Sequence, residues 1–270
     1  MSRSKRTVAL LLRLWPLGRI MHRLARLPFL SLVLRPFYQP AANQAIIIPV
    51  HETVGGTESV ALPFPLLAPL VELASARFIV DACLCRSAEG CRNYPAEIGC
   101  LFLGDAAARI NPEMGRPASI SEALAHVQRG LEAGLVPMVV HASFDAWILG
   151  IPYHRMLAIC FCCDCCCTVR QGLREGPAAF WETVERLPGL NVEAGPECLA
   201  CGTCLEVCPV GAIFLEDGRA QVNGDCKGCG RCVAACPTGA MHLRLAPDVD
   251  VLAGLLARVE ARTDIRSSTA

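Results

Sequence analysis

Aromatic residues are scarce in this 270-residue chain, at 6%, and charged residues make up 19% against 53% hydrophobic. So little charge beside so much apolar material excludes a mainly disordered chain. No charge of one sign is in excess: 25 basic residues balance 25 acidic ones. A globally basic nucleic-acid-binding surface is thereby excluded, and no nucleic-acid partner is expected. Long apolar runs are also missing. A spanning helix needs about 18 apolar residues in a row; the longest comparable stretch, Ser59–Val71, is interrupted by three prolines. Residues 1–12 have the basic start and apolar stretch of an export signal, but Arg13 cuts the stretch short and no small-x-small cleavage site follows closely, so none is expected. There is no Walker loop and no G-x-G-x-x-G after a strand, so no nucleotide cofactor is indicated. Gly55-Gly56 is a turn signal only, and no Ser-His-Asp arrangement suggests itself.

What charge there is lies unevenly. Residues 1–40 hold Arg3, Lys5, Arg6, Arg13, Arg19, Arg23, Arg26 and Arg35 and no Asp or Glu. Such asymmetry marks an arm that meets a partner or a membrane. Between Arg13 and Leu27, Ile20, Leu24 and Leu27 fall on one side of a helix and Arg19, Arg23 and Arg26 on the other, with Pro16 breaking the helix or starting a turn. Two uses are open: an amphipathic helix docked on its own domain or a partner, which is favoured, or one lying flat on an anionic membrane surface.

Residues 1–45 form this basic arm. Residues 46–188 are expected to form a cysteine-rich domain, residues 189–246 a second domain, and residues 247–270 a closing helix and tail. Ala45–Val50 reads as a short buried strand, Pro63–Ala76 as a helix and Arg77–Val80 as a strand. Ser119–Gly134 is the clearest helix. Ser119 and Glu122 make a capping box at its start, Ile120, Leu124, Val127 and Leu131 share a face, and Gly134 suits its end. Leu135–His141 reads as a strand, and Ala178–Leu187 as a helix stopped by Pro188-Gly189. A last helix carries Val249, Leu252, Leu256 and Val259, and Arg262–Ala270 is expected to fray.

The abundance in this chain is cysteine, 18 residues. Cys198, Cys201, Cys204, Cys208 and Pro209 form one run; Cys226, Cys229, Cys232, Cys236 and Pro237 repeat it 28 residues on. Both read C-x2-C-x2-C-x3-C-P. Disulfides do not account for four x2 spacings in two matching runs, and zinc knuckles lack the third close cysteine and the following proline. Three closely spaced thiolates on a tight loop can hold three irons of a cubane, and Gly202, Gly228 and Gly230 let backbone N–H groups approach the sulfurs. Ala212–Glu216, Asp217-Gly218 and Arg219–Val222 read as a hairpin between the runs.

Residues 190–246 thus resemble a bacterial-type two-[4Fe-4S] ferredoxin domain, in all eight cysteines and both prolines. The resemblance implies a βαβ-repeat fold, two [4Fe-4S] clusters and low-potential, one-electron transfer. It also implies a crossover in which each run's fourth cysteine serves the other cluster. Cys198, Cys201, Cys204 and Cys236 would hold one cluster, and Cys226, Cys229, Cys232 and Cys208 the other. The segment departs from small soluble ferredoxins in being only mildly acidic, which favours a fixed or internal redox partner over free diffusion. The fold class expected is α+β: a mainly helical N-terminal domain with a few short strands, then a ferredoxin-like two-cluster domain.

Ten cysteines remain. Cys83, Cys85, Cys91 and Cys100 lie near Arg86 and Arg92; Cys160, Cys162, Cys163, Cys165, Cys166 and Cys167 fall within eight residues. If the latter stretch is helical, Cys160, Cys163 and Cys167 share one side and Cys162 and Cys166 another. Cysteine also packs as a small buried hydrophobe. The reading preferred here is one or two further centres, iron–sulfur or another thiolate-bound metal; a redox-active thiol pair is also open. His141, Asp145 and His154 are candidates for proton transfer or metal ligation, each more often structural when taken singly. His51 and His126 carry no context. The leading expectation is an electron-transfer protein with redox partner proteins. The rivals are an oxidoreductase whose N-terminal cysteine site is catalytic and is fed by the ferredoxin domain, and a redox or metal sensor. Thiolate clusters call for a reducing compartment, so the cytoplasm is expected, at the inner face of the membrane if the arm binds there.

Overall fold

The computed structural model describes residues 2–34, 39–49 and 63–266; His51 and Gly55-Gly56 lie outside these. In chain order the helices are α1 (Lys5–Arg13), α2 (Leu17–Leu24), α3 (Pro28–Leu34), α4 (Pro63–Leu73), α5 (Leu84–Ala88), α6 (Ile120–Glu132), α7 (Ser143–Leu149), α8 (Thr168–Glu175), α9 (Ala178–Trp181), α10 (Thr203–Glu206), α11 (Arg231–Ala235) and α12 (Val251–Glu260). The strands are β1 (Asn43–Ile47), β2 (Arg77–Val80), β3 (Leu101–Leu103), β4 (Gly115–Pro117), β5 (Val136–Ala142), β6 (Leu157–Cys162), β7 (Val184–Arg186), β8 (Leu190–Ala194), β9 (Ile213–Glu216), β10 (Arg219–Val222) and β11 (Met241–Leu245).

The mixture of helices and strands is that of an α+β protein. The emphasis on helix in the N-terminal region needs correction. Its strands are short, but seven of them join in one sheet, ordered β4-β2-β3-β6-β5-β1-β7. Every neighbour pair is antiparallel except β1 and β7. Strands of three residues, such as β3, β4 and β7, are too short for alternation to register in a sequence. Both sheet faces are buried, with the period of two that pleating dictates. Ile46, Ile79, Leu101, Leu103, Ile159 and Phe161 face one core with α4 and α6. Ala45, Ile47, Phe78, Phe102, Met138 and Ala158 face the other with α7 and α8. Each fully buried aliphatic or Phe side chain contributes roughly 1.5–3 kcal/mol.

Helix α6 follows its sequence signals closely. The Ser119 hydroxyl accepts from the Glu122 N–H, and the Glu122 carboxylate accepts from the Ser119 N–H. At the other end Leu135 N–H reaches the Gly130 carbonyl and Gly134 N–H the Leu131 carbonyl, with Gly134 at φ +71°. This is the 6→1 and 5→2 pattern of a glycine-terminated helix. The box pulls the Glu122 carboxyl down to about 2, first through the Ser119 N–H, then through its hydroxyl and Arg116. A depressed folded value means the stabilisation is present above the ordinary carboxylate range and is lost as pH falls from about 4.5 toward 2. Glu122→Gln should therefore flatten the acid-dependent loss of hydrogen-exchange protection in the first turn of α6. An acid limb identical to wild type would show that the box adds nothing.

Two local expectations are corrected. Ala178–Leu187 is not one helix: α9 ends at Trp181 and β7 follows, its parallel pairing with β1 overriding the helical spacing of Phe180, Val184 and Leu187. The stretch Cys160–Cys167 is not helical either. Strand β6 ends at Cys162, a turn carries Cys163–Cys166, and Cys167 caps α8.

In the C-terminal region β8 pairs with β11 and β9 with β10, each antiparallel, with α10 and α11 between. Asp217 and Gly218 both take positive φ, 48° and 72°, in the tight turn expected of the hairpin. The core runs on across Pro188-Gly189: Leu187, Leu190, Val192, Met241 and Leu243 join the face of the sheet that holds Ile46 and Ile159. Helix α12 returns to this core through Leu255 and Val259. Beyond it Ile265 is buried and its carbonyl accepts from Ser75 N–H, so the tail is docked as far as Arg266, with 267–270 outside the described residues.

The basic arm lies on the body, with Val8 buried in the second core and Leu11, Leu12 and Trp15 packed against it. Arg3 Nε donates to the Trp147 carbonyl, Arg23 pairs with Glu175, and Arg26 donates to the Arg174 and Gly176 carbonyls. Ile20, Leu24 and Leu27 are exposed. Among the described residues no helix is long and apolar enough to cross a membrane.

Candidate metal centres

Helices α10 and α11 each begin at a glycine with positive φ, Gly202 at 82° and Gly230 at 76°. Only a residue without Cβ takes this conformation cheaply, and it bends each cysteine loop back on itself. One cavity is lined by Cys198, Cys201, Cys204 and Cys236 together with Leu215, Ala220 and Met241. The fourth cysteine there comes from the second run. The Cys204 thiol is pushed up by burial and then by Cys198, Cys201 and Cys236. In the other group Cys232 is pushed up to about 12, by burial first and then by Cys229, Cys226 and Cys208. Here the fourth member belongs to the first run. Crowded thiols that repel one another's ionisation are what a multivalent cation relieves on binding, with release of protons.

Backbone donors are aimed at these sulfurs. Ala220 N–H reaches Cys198 Sγ at 3.4 Å, Ala212 N–H Cys208 Sγ at 3.2 Å, and Gly228 N–H Cys226 Sγ at 3.4 Å. Among the described residues no three sulfurs of either ferredoxin group lie within 4.8 Å of one another. The residues present fit iron–sulfur clusters on donor chemistry and N–H···S contacts.

The ten N-terminal cysteines separate into two sets. Cys91, Cys163, Cys165 and Cys166 have sulfurs all within 4.8 Å of one another. The other six, Cys83, Cys85, Cys100, Cys160, Cys162 and Cys167, interact as the pairs Cys83–Cys85, Cys100–Cys160 and Cys162–Cys167. Cys160 and Cys162 share a face of β6 by strand periodicity, opposite Met138 and Val136. Buried Arg86 links the two sets. It donates to the Phe161 carbonyl at 2.6 Å and to the Ile98 carbonyl, and its charge bears on Cys83, Cys163, Cys100 and Cys162. Cys83 is drawn down to about 6, chiefly by its hydrogen bond with Cys85 and also by Arg86.

Asp145 goes to this six-thiol set. Burial, and then Cys83, push its carboxyl up to about 7. His141 goes elsewhere: it is buried, bonded through Nδ1 to the Met156 carbonyl at 2.8 Å and stacked on Tyr153 at 4.1 Å. His154 packs edge-on to the same Tyr153. His126 is buried between the Gly99 carbonyl and Arg129, a structural position.

Sequence reasoning missed the charges threaded through the thiols. Asp164, between two cysteines, pairs with Arg170 of α8 and with Arg231 of α11, next to Cys232. Arg170 is 1% exposed, and its charge bears on Cys229 and on Cys162. Its Nε and Nη2 have no hydrogen-bond partner among the described residues. Arg170 thus stands between the C-terminal and N-terminal sulfurs. The available signal was a lone acid inside a cysteine run followed by an arginine six residues on.

Comparison with known proteins agrees with this geometry for the C-terminal region. Residues 197–240 match the 4Fe-4S dicluster domain model, which makes this segment a ferredoxin-type, iron-binding 4Fe-4S domain. Within that class the chain is similar to ferredoxin Fdx8 of Sorangium cellulosum (strain So ce56), 54% identical over 37 residues. That match covers 13% of this chain and 35% of the ferredoxin. No solved structure matches.

Proposed function

We propose that this chain is an electron-transfer protein with two [4Fe-4S] clusters. Cys198, Cys201, Cys204 and Cys236 hold one, and Cys226, Cys229, Cys232 and Cys208 the other. The observation that carries the reading is the mutual approach of each set with its fourth sulfur taken from the opposite run. The clusters supply one-electron chemistry. The chain's own part is to fix their thiolates, aim N–H groups at them and exclude water.

The six-thiol N-terminal set is the internal redox partner. Cys229 of the second set is the sulfur nearest in interaction to Arg170, and Arg170 also meets Cys162. An electron on the second cluster therefore has a polar, tightly packed route toward the six-thiol set. The exposed leucine side of the basic arm offers contact to an external redox protein or an anionic membrane.

The test is iron and acid-labile sulfide on anaerobically purified full-length protein, with electron paramagnetic resonance after reduction. About eight ferredoxin irons and two interacting reduced clusters are expected. Protein that stays colourless and iron-free after reconstitution sinks the reading, and four irons in total would reduce it to one cluster.

A second reading is favoured by one observation. The half-buried thiols Cys100 and Cys160 lie with Asp145, whose carboxyl is pushed up to about 7 by burial and then by Cys83. A proton donor beside thiols supplied with electrons is the equipment of a reductase. A ligand-dependent spectral change that disappears in Asp145→Asn, with the ferredoxin signals retained, would favour this reading over a pure electron carrier.

A further inference from the structure

We propose that Cys91, Cys163, Cys165 and Cys166 hold a single divalent metal ion, zinc or ferrous iron, in a closed tetrathiolate site. This site lies outside the six-thiol set of the preceding section and stands on its own geometry. A tetrahedral ion with metal–sulfur bonds of about 2.3 Å sets its ligands about 3.8 Å apart. Here Cys91 and Cys165 are 3.5 Å apart and Cys165 and Cys166 3.6 Å, and all four sulfurs fall within 4.8 Å. Four sulfurs this close match the corners of one metal tetrahedron rather than the outer thiolates of a four-iron cube. The two groups of centres therefore differ in kind, one ion here against clusters there.

Backbone donors support thiolates at this spot. Cys166 N–H reaches Cys163 Sγ at 3.3 Å. The N–H groups of Asn93 and Tyr94 point to Cys91. In each case the donor lies two or three residues beyond the sulfur it serves, the loop form in which a chain wraps a metal. Cys163 and Cys166 are buried and Cys91 and Cys165 half-buried, so the protein fills all four positions. A site with no open position is structural rather than catalytic. Its ligands join two distant segments, the loop after α5 and the turn after β6. The turn also carries Asp164, flanked on both sides by ligands and paired with Arg170 and Arg231. The ion thus holds in place the carboxylate that latches the ferredoxin domain to the sheet.

The test uses full-length, anaerobically purified protein. Total metal analysis should find about one zinc or iron beyond the ferredoxin irons, without matching sulfide. X-ray absorption at the zinc edge should show four sulfurs at about 2.3 Å; if iron occupies the site, oxidation should produce a high-spin ferric signal. Cys91→Ser and Cys165→Ser should each lower metal retention at least tenfold while the reduced ferredoxin signals persist. Cys85→Ser, in the other set, should leave the ion bound. The wild-type absorption measurement decides the matter even if a variant fails to fold. An absent extra metal, an extra metal that survives both substitutions, additional iron accompanied by sulfide, or a disulfide joining these cysteines in fresh protein would each overturn the proposal. Loss of the ferredoxin signals alone would count against the proposed function and leave this site standing.

Discussion

Cys208→Ser should remove the cluster of the second cysteine run and leave the cluster of its own run in place. About half of the ferredoxin iron, four of eight atoms, should go with it. Cys208 lies in the first run, but its sulfur is among the causes raising Cys226 and Cys232, whereas the cavity of the first set is completed by Cys236. A hydroxyl is a poor substitute for a soft thiolate on iron, so the exchange should strip the cluster rather than distort it. The surviving reduced signal should match that of Cys226→Ser and differ from that of Cys198→Ser. Spin coupling between clusters should vanish. Cys236→Ser should give the mirror result. If Cys208→Ser instead reproduces Cys198→Ser, each run binds its own cluster and the crossover assignment is wrong.

The ferredoxin-type segment was readable because its signal is local. C-x2-C-x2-C-x3-C-P is a local pattern, and the glycines and hairpin that support it lie within the same short segment. Helix α6 was readable for the same reason, since its cap, its apolar face and its terminal glycine all lie within 16 residues. Strands β1, β2 and β5 of the N-terminal sheet were readable, but its strand order was not. Strand β1 sits between β5 and β7, which follow it by about 90 and 140 residues, and pairings at such range leave no local periodicity. The thiol groups failed for a related reason. Cys91 meets Cys165 across 74 residues, and the switch from strand to turn at Cys162–Cys163 sends adjacent cysteines to opposite faces of the sheet. A helical reading of Cys160–Cys167 mixes the two sets; only the tertiary fold separates them. Asp164, Arg170 and Arg86 look like ordinary surface charges in the sequence and gain meaning only from burial beside sulfur.

Arg170→Gln should make the second cluster harder to reduce, by roughly 40–60 mV. Adding an electron makes a cluster more negative, and a nearby fixed positive charge favours that state. A unit charge about 6 Å away acts with roughly 3 kcal/mol at an effective dielectric constant near 20. Asp164 keeps its charge in both proteins, but it is partly exposed, so water and counter-ions drawn to the place of the lost cation screen a large part of this. A remainder of about 1–1.4 kcal/mol corresponds to the shift given, since about 59 mV is tenfold for one electron. A side-chain hydrogen bond from Arg170 to Cys229 strengthens the case, because it sets an N–H donor on a sulfur of the second set. The first cluster serves as an internal reference: Arg170's principal sulfur neighbours are Cys229 and Cys162, neither of which belongs to that cluster's set. Arg170→Lys should recover part of the potential, by restoring charge without the planar fork. Potentiometric titration followed by electron paramagnetic resonance separates these outcomes. A second-cluster potential unchanged within about 10 mV, or equal shifts at both clusters, would mean that Arg170 only braces the Asp164 turn. A shift confined to the second cluster would place the buried arginine in the electron path, at the junction where the ferredoxin domain meets the thiols of the sheet.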